Sequence, residues 1–264
     1  GNATTIQACE NRGSITSKNH KQVVRLGGMI GTIHTSVKVL GCTNYGDLSL
    51  IYDQETAIAN WEAVGGMAGI CENKTGEEIK NNVNEGNIYL KVNSNVSHAN
   101  HVAAAGIVAV PGNGAFEGNI NRGSVYCENT ATEKGSAIAG GVIGLIIRTT
   151  HTGEENYGDV TAVSASEALN SSTAAGNTIV AAGGLYGVNS MASPINGKSK
   201  GAVSATSASG TPAAGGLVGW QAASSEVSGS YAGSVNGVTV TTANLTDLVV
   251  GKNAGTVGTV TLLP

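Results

Sequence analysis

Asn121-Arg122-Gly123-Ser124-Val125, followed by Gly140-Gly141-Val142-Ile143-Gly144, is the stretch that decides the fold, because the chain repeats it. The same cadence opens at Asn11-Arg12-Gly13, Asn44-Tyr45-Gly46, Asn84-Glu85-Gly86, Asn156-Tyr157-Gly158 and Ser199-Lys200-Gly201, and a degenerate copy opens at Ala232-Gly233. Its second half recurs at Gly27-Gly28-Met29-Ile30-Gly31, Gly65-Gly66-Met67-Ala68-Gly69, Ala105-Gly106-Ile107-Val108-Ala109, Gly183-Gly184-Leu185-Tyr186-Gly187 and Gly215-Gly216-Leu217-Val218-Gly219. A short unit repeated this often cannot bury its own apolar face, so neighbouring units must stack to make a continuous core.

The spacing divides each repeat into two unlike halves. From the second glycine of a Gly-Gly pair to the next turn glycine the step is 17 residues in the last four copies and 18 and 20 in the first two. From the turn glycine to the next Gly-Gly pair it ranges from 15 to 26. Stacked strands lose register when a residue is inserted, whereas a longer loop adds little closure entropy. The variable half therefore places loops at one corner, and the fixed half is wall.

Within the wall, the position two residues after each turn glycine reads Ile15, Leu48, Ile88, Val125, Val160, Val203 and Val235, an aliphatic column expected to face inward. Its neighbours are mostly polar: Ser14, Asp47, Asn87, Ser124 and Asp159 on one side, Thr16, Ser49, Tyr89, Tyr126 and Thr161 on the other. Alternation of period two across so many copies is a strand signal. A second strand is expected to hold the Gly-Gly-aliphatic segment. A third precedes each turn and is marked by Ile6, Val39, Ile79, Phe116, Ile195 and Val227, with His151 as the exception. The expectation is an all-β, single-stranded, right-handed parallel β-helix, or β-solenoid, of about seven coils with three short strands per coil. Residues 1–237 form the repeat domain, with coil starts near Gly13, Gly46, Gly86, Gly123, Gly158, Gly201 and Gly233, and residues 238–264 form a terminal irregular coil or cap of the same domain.

The turn asparagines have a structural reading: Asn tolerates left-handed backbone, and identical amides one strand spacing apart can bond each other along the stack. Gly27-Gly28-Met29-Ile30-Gly31 superficially matches a dinucleotide loop, but repeated six times it is a corner and not a phosphate cradle. No cofactor is expected. Cys9 and Cys42 share a column, close enough for a disulfide but expected as free thiols, and Cys127 sits in an inward column. Cys71 has no partner in register, and none of the four cysteines belongs to a zinc pair.

Net charge is −4 with no basic run, which argues against nucleic acid and against anionic membranes as partners. No apolar stretch approaches the ~20 residues of a transmembrane helix, so direct membrane insertion is not expected. Thr5-Ile6-Gln7-Ala8-Cys9-Glu10 aligns with Lys38-Val39-Leu40-Gly41-Cys42-Thr43, so the sequence is expected to start in mid-coil as part of a longer protein. Asn-x-Ser/Thr sequons occur at Asn2, Asn73, Asn95, Asn170 and Asn244.

The run Cys9-Glu10-Asn11-Arg12-Gly13-Ser14-Ile15, together with Gly27-Gly28-Met29-Ile30-Gly31 and Ala214-Gly215-Gly216-Leu217-Val218-Gly219-Trp220, resembles the GLUG-type glycine-rich repeats of bacterial cell-surface proteins. The resemblance covers roughly residues 6 to 237. It implies a secreted or surface-anchored β-helical stalk of adhesive type, with signal and anchor outside these residues. It brings no catalytic residues with it.

Function concentrates where a rigid scaffold tolerates variation, which here is the loop corner. The candidate contacts are Tyr52, Asp53 and Trp61 in the second loop and His98 and His101 in the third, with a glycan or a host or partner-cell surface protein as the ligand. Trp61 is the leading anchor. The alternative is a β-helical carbohydrate-active enzyme, a polysaccharide lyase or glycoside hydrolase. That chemistry needs carboxylates at close range, and Asp47 and Asp159 are three repeats apart, roughly 14 Å at ordinary strand spacing. No catalytic residue and no metal ligand is assigned from the sequence.

Overall fold

The computed structural model describes residues 4–20, 23–34, 36–54, 61–72, 75–94, 102–146, 149–170, 178–190, 195–222 and 225–264. Among these residues the protein is all-β apart from one helical turn at Leu245–Leu248, and its sheets are built, apart from one antiparallel pair near the C-terminus, from parallel pairs that join a strand to its counterpart one repeat later. The strands before the turns, Thr4–Gln7, Val37–Leu40, Thr75–Lys80, Asn113–Glu117 and Thr150–Thr152, lie side by side in that order. Those after the turns, Ile15–His20, Leu48–Gln54, Ile88–Ser94, Val125–Asn129 and Val160–Ser164, do the same and continue into the long strands Ile195–Thr206 and Glu226–Val235.

The aliphatic column holds register throughout: Ile15 pairs with Leu48, Leu48 with Ile88, Ile88 with Val125, Val125 with Val160, Val160 with Val203 and Val203 with Val235. From Leu48 to Val235 every member is buried. Burial of each such side chain contributes roughly 1.5–3 kcal/mol, and the column runs unbroken through the main core.

The Gly-Gly segment forms two strands where one was expected. Arg25–Gly27, Glu62–Gly65, Val102–Ala105, Ala137–Gly140, Val180–Gly183 and Ala213–Gly215 form one sheet. Ile30–Ile33, Ala68–Cys71, Val108–Val110, Ile143–Ile146, Tyr186–Asn189, Val218–Gln221 and Val250–Asn253 form another. The chain bends too sharply at the pair for one strand to pass: a β-carbon on Gly65 would lie 2.1 Å from the Ala68 carbonyl oxygen. Alternate residues of these strands serve different cores. Val64, Ala104, Ala139, Ala182 and Ala214 enter the main one. Ala63, Ala103, Ile138, Ala181 and Ala213 join Ile70, Leu145, Val188 and Trp220 in a second, thinner cluster between the two sheets. Strands apolar on both faces are what double-sided burial requires.

The turn asparagines form a hydrogen-bonded ladder. The Nδ2 of Asn11 donates to Asn44 Oδ1, Asn44 to Asn84, Asn84 to Asn121 and Asn121 to Asn156, each at 2.7 Å. The second N–H of Asn44, Asn84, Asn121 and Asn156 goes to the carbonyl of its own turn glycine at 2.7–2.8 Å. Left-handed backbone does not explain these asparagines. That conformation falls just upstream, at Ala8, Gly41, Asn81, Gly118 and Gly153.

The ladder also explains the fixed half of the repeat. A β-carbon on Gly66, Gly106 or Gly141 would lie 2.7, 2.3 or 2.4 Å from the Cγ of Asn84, Asn121 or Asn156. The second glycine of each pair is therefore packed flat against the next turn's amide, and the length of chain between them is set by that contact. Past Asn156 the position becomes Ser199 and then Tyr231, whose ring lies against Gly216 and whose single hydroxyl proton lies between the Gly201 and Ser234 carbonyl oxygens, 2.8 and 2.9 Å from Oη. Over this end, Thr256–Leu262 pairs parallel to Glu226–Val235, Val238–Thr239 turns back antiparallel, and Leu245, Val249 and Val250 are buried.

Candidate functional site

The outward face of the strands after the turns carries an organised row of half-buried polar and aromatic side chains. Tyr89 and Tyr126 are register partners there, and their rings stack with centroids 5.1 Å apart and planes 4° from parallel. One strand spacing sets that separation, so the backbone supplies the stacking geometry at no extra conformational cost. Glu128 fixes the pair from the adjacent column, accepting from Tyr126 Oη at 3.0 Å and pairing with Lys91 Nζ at 3.0 Å. Partial burial, and then the Glu128 carboxylate, push the Tyr126 phenol up to about 12. The Glu128 hydrogen bond likewise raises the Lys91 ammonium. Thr161 and Ser204 continue the column with hydroxyls 3.2 Å apart.

The middle residues of the turns form a second outward column. Arg12 sits over the Tyr45 ring at 4.8 Å, Arg122 pairs with Glu85 at 2.5 Å, and Glu155 accepts from Tyr157 Oη at 2.6 Å and from Lys198 at 3.0 Å. Tyr45 and Tyr157 are 44% and 43% exposed, so much of each ring faces solvent. Flat aromatic faces beside fixed donors and acceptors suit the apolar face and hydroxyl edge of a sugar, or a polar peptide.

Among the described residues, the candidates Tyr52, Asp53 and Trp61 are not brought together. Tyr52 is a core residue, not a loop contact: the strand Leu48–Gln54 runs further than expected, and alternation carries Leu48, Leu50 and Tyr52 inward. Burial, and then Glu62, push its phenol up to about 12. Asp53 points the other way and accepts from Asn93 Nδ2 at 2.9 Å, across to the next repeat. Trp61 is half-buried and packs against the second cluster. His98 and His101 lie outside the described residues, as do residues 55–60 of the second loop. At the fifth loop Asn170 accepts from the Val180 N–H at 2.9 Å and donates to the Thr211 carbonyl at 2.7 Å. Its side chain is buried in that clasp, so this sequon cannot accept a glycan.

Acidic neighbours point to opposite faces. Glu77 and Glu154 are buried, while Glu78 meets Lys38 and Lys80 outside and Glu155 meets Lys198. Asp47 accepts the Asn87 N–H at 2.8 Å and Asp159 the Ala202 N–H at 2.7 Å, so both carboxylates bridge to the next repeat. The four cysteines are free thiols, with Cys42, Cys71 and Cys127 buried.

One interior column escaped the sequence reading. Cys42, Asn82, Asn119 and Glu154 stack as a second polar row: Asn82 Nδ2 donates to Asn119 Oδ1 at 2.9 Å and Asn119 Nδ2 to Glu154 Oε1 at 3.1 Å. Its mixed residue types hid it. Burial pushes Glu154 up to about 8 and pulls nearby His151 down to about 3, and the His151 ring lies 5.0 Å from the buried Tyr186 ring.

Among the described residues no group of three His, Cys, Asp or Glu is placed to hold a metal ion, and no helix is long and apolar enough to cross a membrane. No family model, no curated protein and no solved structure matches the chain.

Proposed function

We propose that the chain is a right-handed parallel β-helix of about seven coils, and that it acts as a non-catalytic, extracellular or surface-anchored interaction module. The parallel, repeat-by-repeat pairing supports the architecture. The resemblance to GLUG-type bacterial surface repeats supports the location. The ligand is a glycan or a protein on a host or partner-cell surface, met by the loop corner and by the strand face leading into it. The observation that carries this reading is the Tyr89–Tyr126 stack, a prebuilt aromatic platform on the strands that run toward the variable loops. The outward carboxylates are taken up in ion pairs and backbone bridges, which favours recognition over hydrolysis.

Glycan and matrix-protein arrays test this. We expect wild-type binding that falls at least tenfold in Tyr89→Ala/Tyr126→Ala, and falls further when the second and fifth loops are shortened. Binding that survives both changes would move the site elsewhere. Turnover of any arrayed polysaccharide would favour the carbohydrate-active enzyme instead.

A further inference from the structure

The interior polar row that runs from Cys42 through Asn82 and Asn119 to Glu154 has one more member. Gln7 pairs with Leu40 and Glu10 with Thr43, so Cys9 and Cys42 are register partners, and the Thr43 N–H donates to the Cys9 carbonyl at 2.9 Å. Both cysteines fall in the bend between two strands, just after the left-handed residues Ala8 and Gly41. Cys9 Sγ donates to the Gln7 carbonyl at 3.4 Å. Cys42 Sγ lies 3.6 Å from the matching Leu40 carbonyl oxygen and 3.7 Å from that of Ile6, one repeat back. The two thiols therefore share one orientation, and Cys42 leans toward the repeat that holds Cys9. Burial raises the Cys42 thiol, and Cys9 is close enough to act on it both as a charge and as a hydrogen-bond partner.

Elsewhere in the row each layer is tied to the next through a side chain. Asn82 Oδ1 accepts the Cys42 N–H at 2.9 Å, Asn82 Nδ2 donates to Asn119 Oδ1 at 2.9 Å, and Asn119 Nδ2 donates to Glu154 Oε1 at 3.1 Å. A thiol is a weak donor and a weak acceptor and supplies no comparable tie. The α-carbons of register partners stand about 4.8 Å apart, inside the window for a disulfide, and the bend gives the β-carbons the freedom to approach that a mid-strand pair lacks.

We propose that Cys9 and Cys42 form a thiol–disulfide exchange site, and that oxidation by a small disulfide such as glutathione disulfide joins them in a covalent tie between the first two repeats. One cysteine, as its thiolate, attacks a sulfur of the oxidant and expels one small thiol; the other then attacks the mixed disulfide and expels the second. The two cysteine sulfurs are oxidised, the two sulfurs of the oxidant are reduced, and the two protons of the cysteines end on the released thiols. The contact lies wholly between these two repeats and does not depend on what adjoins them. Cys71 pairs in register with Ile33, and Cys127 with Leu90 and Ala162, so no second thiol stands beside either.

The test equilibrates the whole protein, folded and in urea, with mixtures of reduced and oxidised glutathione, counts free thiols and maps the linked peptides by mass spectrometry. In the folded protein the count is expected to fall from four to two, with the link confined to Cys9 and Cys42. Its equilibrium constant is expected to exceed the value in urea by about tenfold or more, and the melting temperature to rise on oxidation and return on reduction. Cys9→Ser and Cys42→Ser should each abolish the link, and Cys71→Ala/Cys127→Ala should leave it intact; should Cys42→Ser not fold, Cys9→Ser carries the comparison. The proposal is overturned by four free thiols persisting at the oxidising end of the series, by links to Cys71 or Cys127, by links formed only between molecules, or by an equilibrium constant no higher than in urea.

Discussion

The last described layer of the stack and the first are built differently. At the C-terminal end the repeat signature is abandoned: the ladder asparagine becomes Ser199 and then Tyr231, and a hairpin, a helical turn and the strand Thr256–Leu262 bury what would otherwise be an open layer. At the first repeat the signature is intact in Asn11 and Gly13, and among the described residues its ladder contact is the one made to the following repeat, from Asn11 to Asn44. In a stack where each layer touches only its neighbours, the repeat's residues are kept where a like layer lies alongside and replaced where a different covering takes its place.

Substitutions repeated at matched positions in the middle and at the first layer test that contrast. The largest effect is expected for Val160→Asp, which buries an unpaired carboxylate in the main core and should cost roughly 4 kcal/mol or abolish folding, against about 1 kcal/mol for Ile15→Asp on the half-open layer. Urea melts measure both, and equal losses would mean that the first layer is as closed as the fifth. Gly86→Ala drives a methyl into the Gly46 carbonyl and should cost roughly 3 kcal/mol, whereas Gly13→Ala should be neutral or stabilise by about 0.5 kcal/mol through the unfolded chain.

Glu154 adds a pH dependence that belongs to the middle alone. Folded, it keeps its proton up to about pH 8, while unfolded it releases it near the ordinary 4.5. Its stabilising contribution is complete below pH 4.5 and is lost as pH rises through 8. His151 works in the opposite direction, stabilising above 6.5 and losing that contribution as pH falls toward 3. Glu117 on the pre-turn strand and Tyr186 face the same cluster. Glu154→Gln should therefore gain on the parent between pH 5 and 8, by roughly 2–3 kcal/mol in all. Thermal melts across that range check it, and parallel pH curves for the two proteins would remove Glu154 as the cause. The smallest contrast is in the amide ladder: Asn84→Ala strands a buried donor on Asn44 and an acceptor on Asn121, at about 2 kcal/mol, while Asn11→Ala should cost a few tenths.

Much of this architecture is visible in the sequence because parallel stacking converts repeat spacing directly into neighbours. The column from Ile15 to Val235 and the turn asparagines were legible for that reason. The bend at Gly-Gly was not, since a glycine pair flanked by aliphatics reads as one strand until its close approach to a carbonyl is known. The second cluster was hidden by its alanines, which give no contrast between two faces that are both buried. Tyr52 was misread because the strand outlasts the point where polar Asp53 suggests a loop. Tyr89 and Tyr126 were seen to face outward, but only the register makes them a stacked pair.

The amide ladder has one more property, an electrical one. Every Nδ2 from Asn11 to Asn121 points toward the following repeat and every Oδ1 toward the preceding one, so the side-chain dipoles are aligned head to tail in a water-poor interior. The column behaves as a short buried wire of dipoles with its negative end at Asn11. The Asn11 end of the column therefore carries a field that favours N–H groups and cations over carboxylates, while at the other end the hydroxyl groups of Ser199 and Tyr231 bring the polarity to a close.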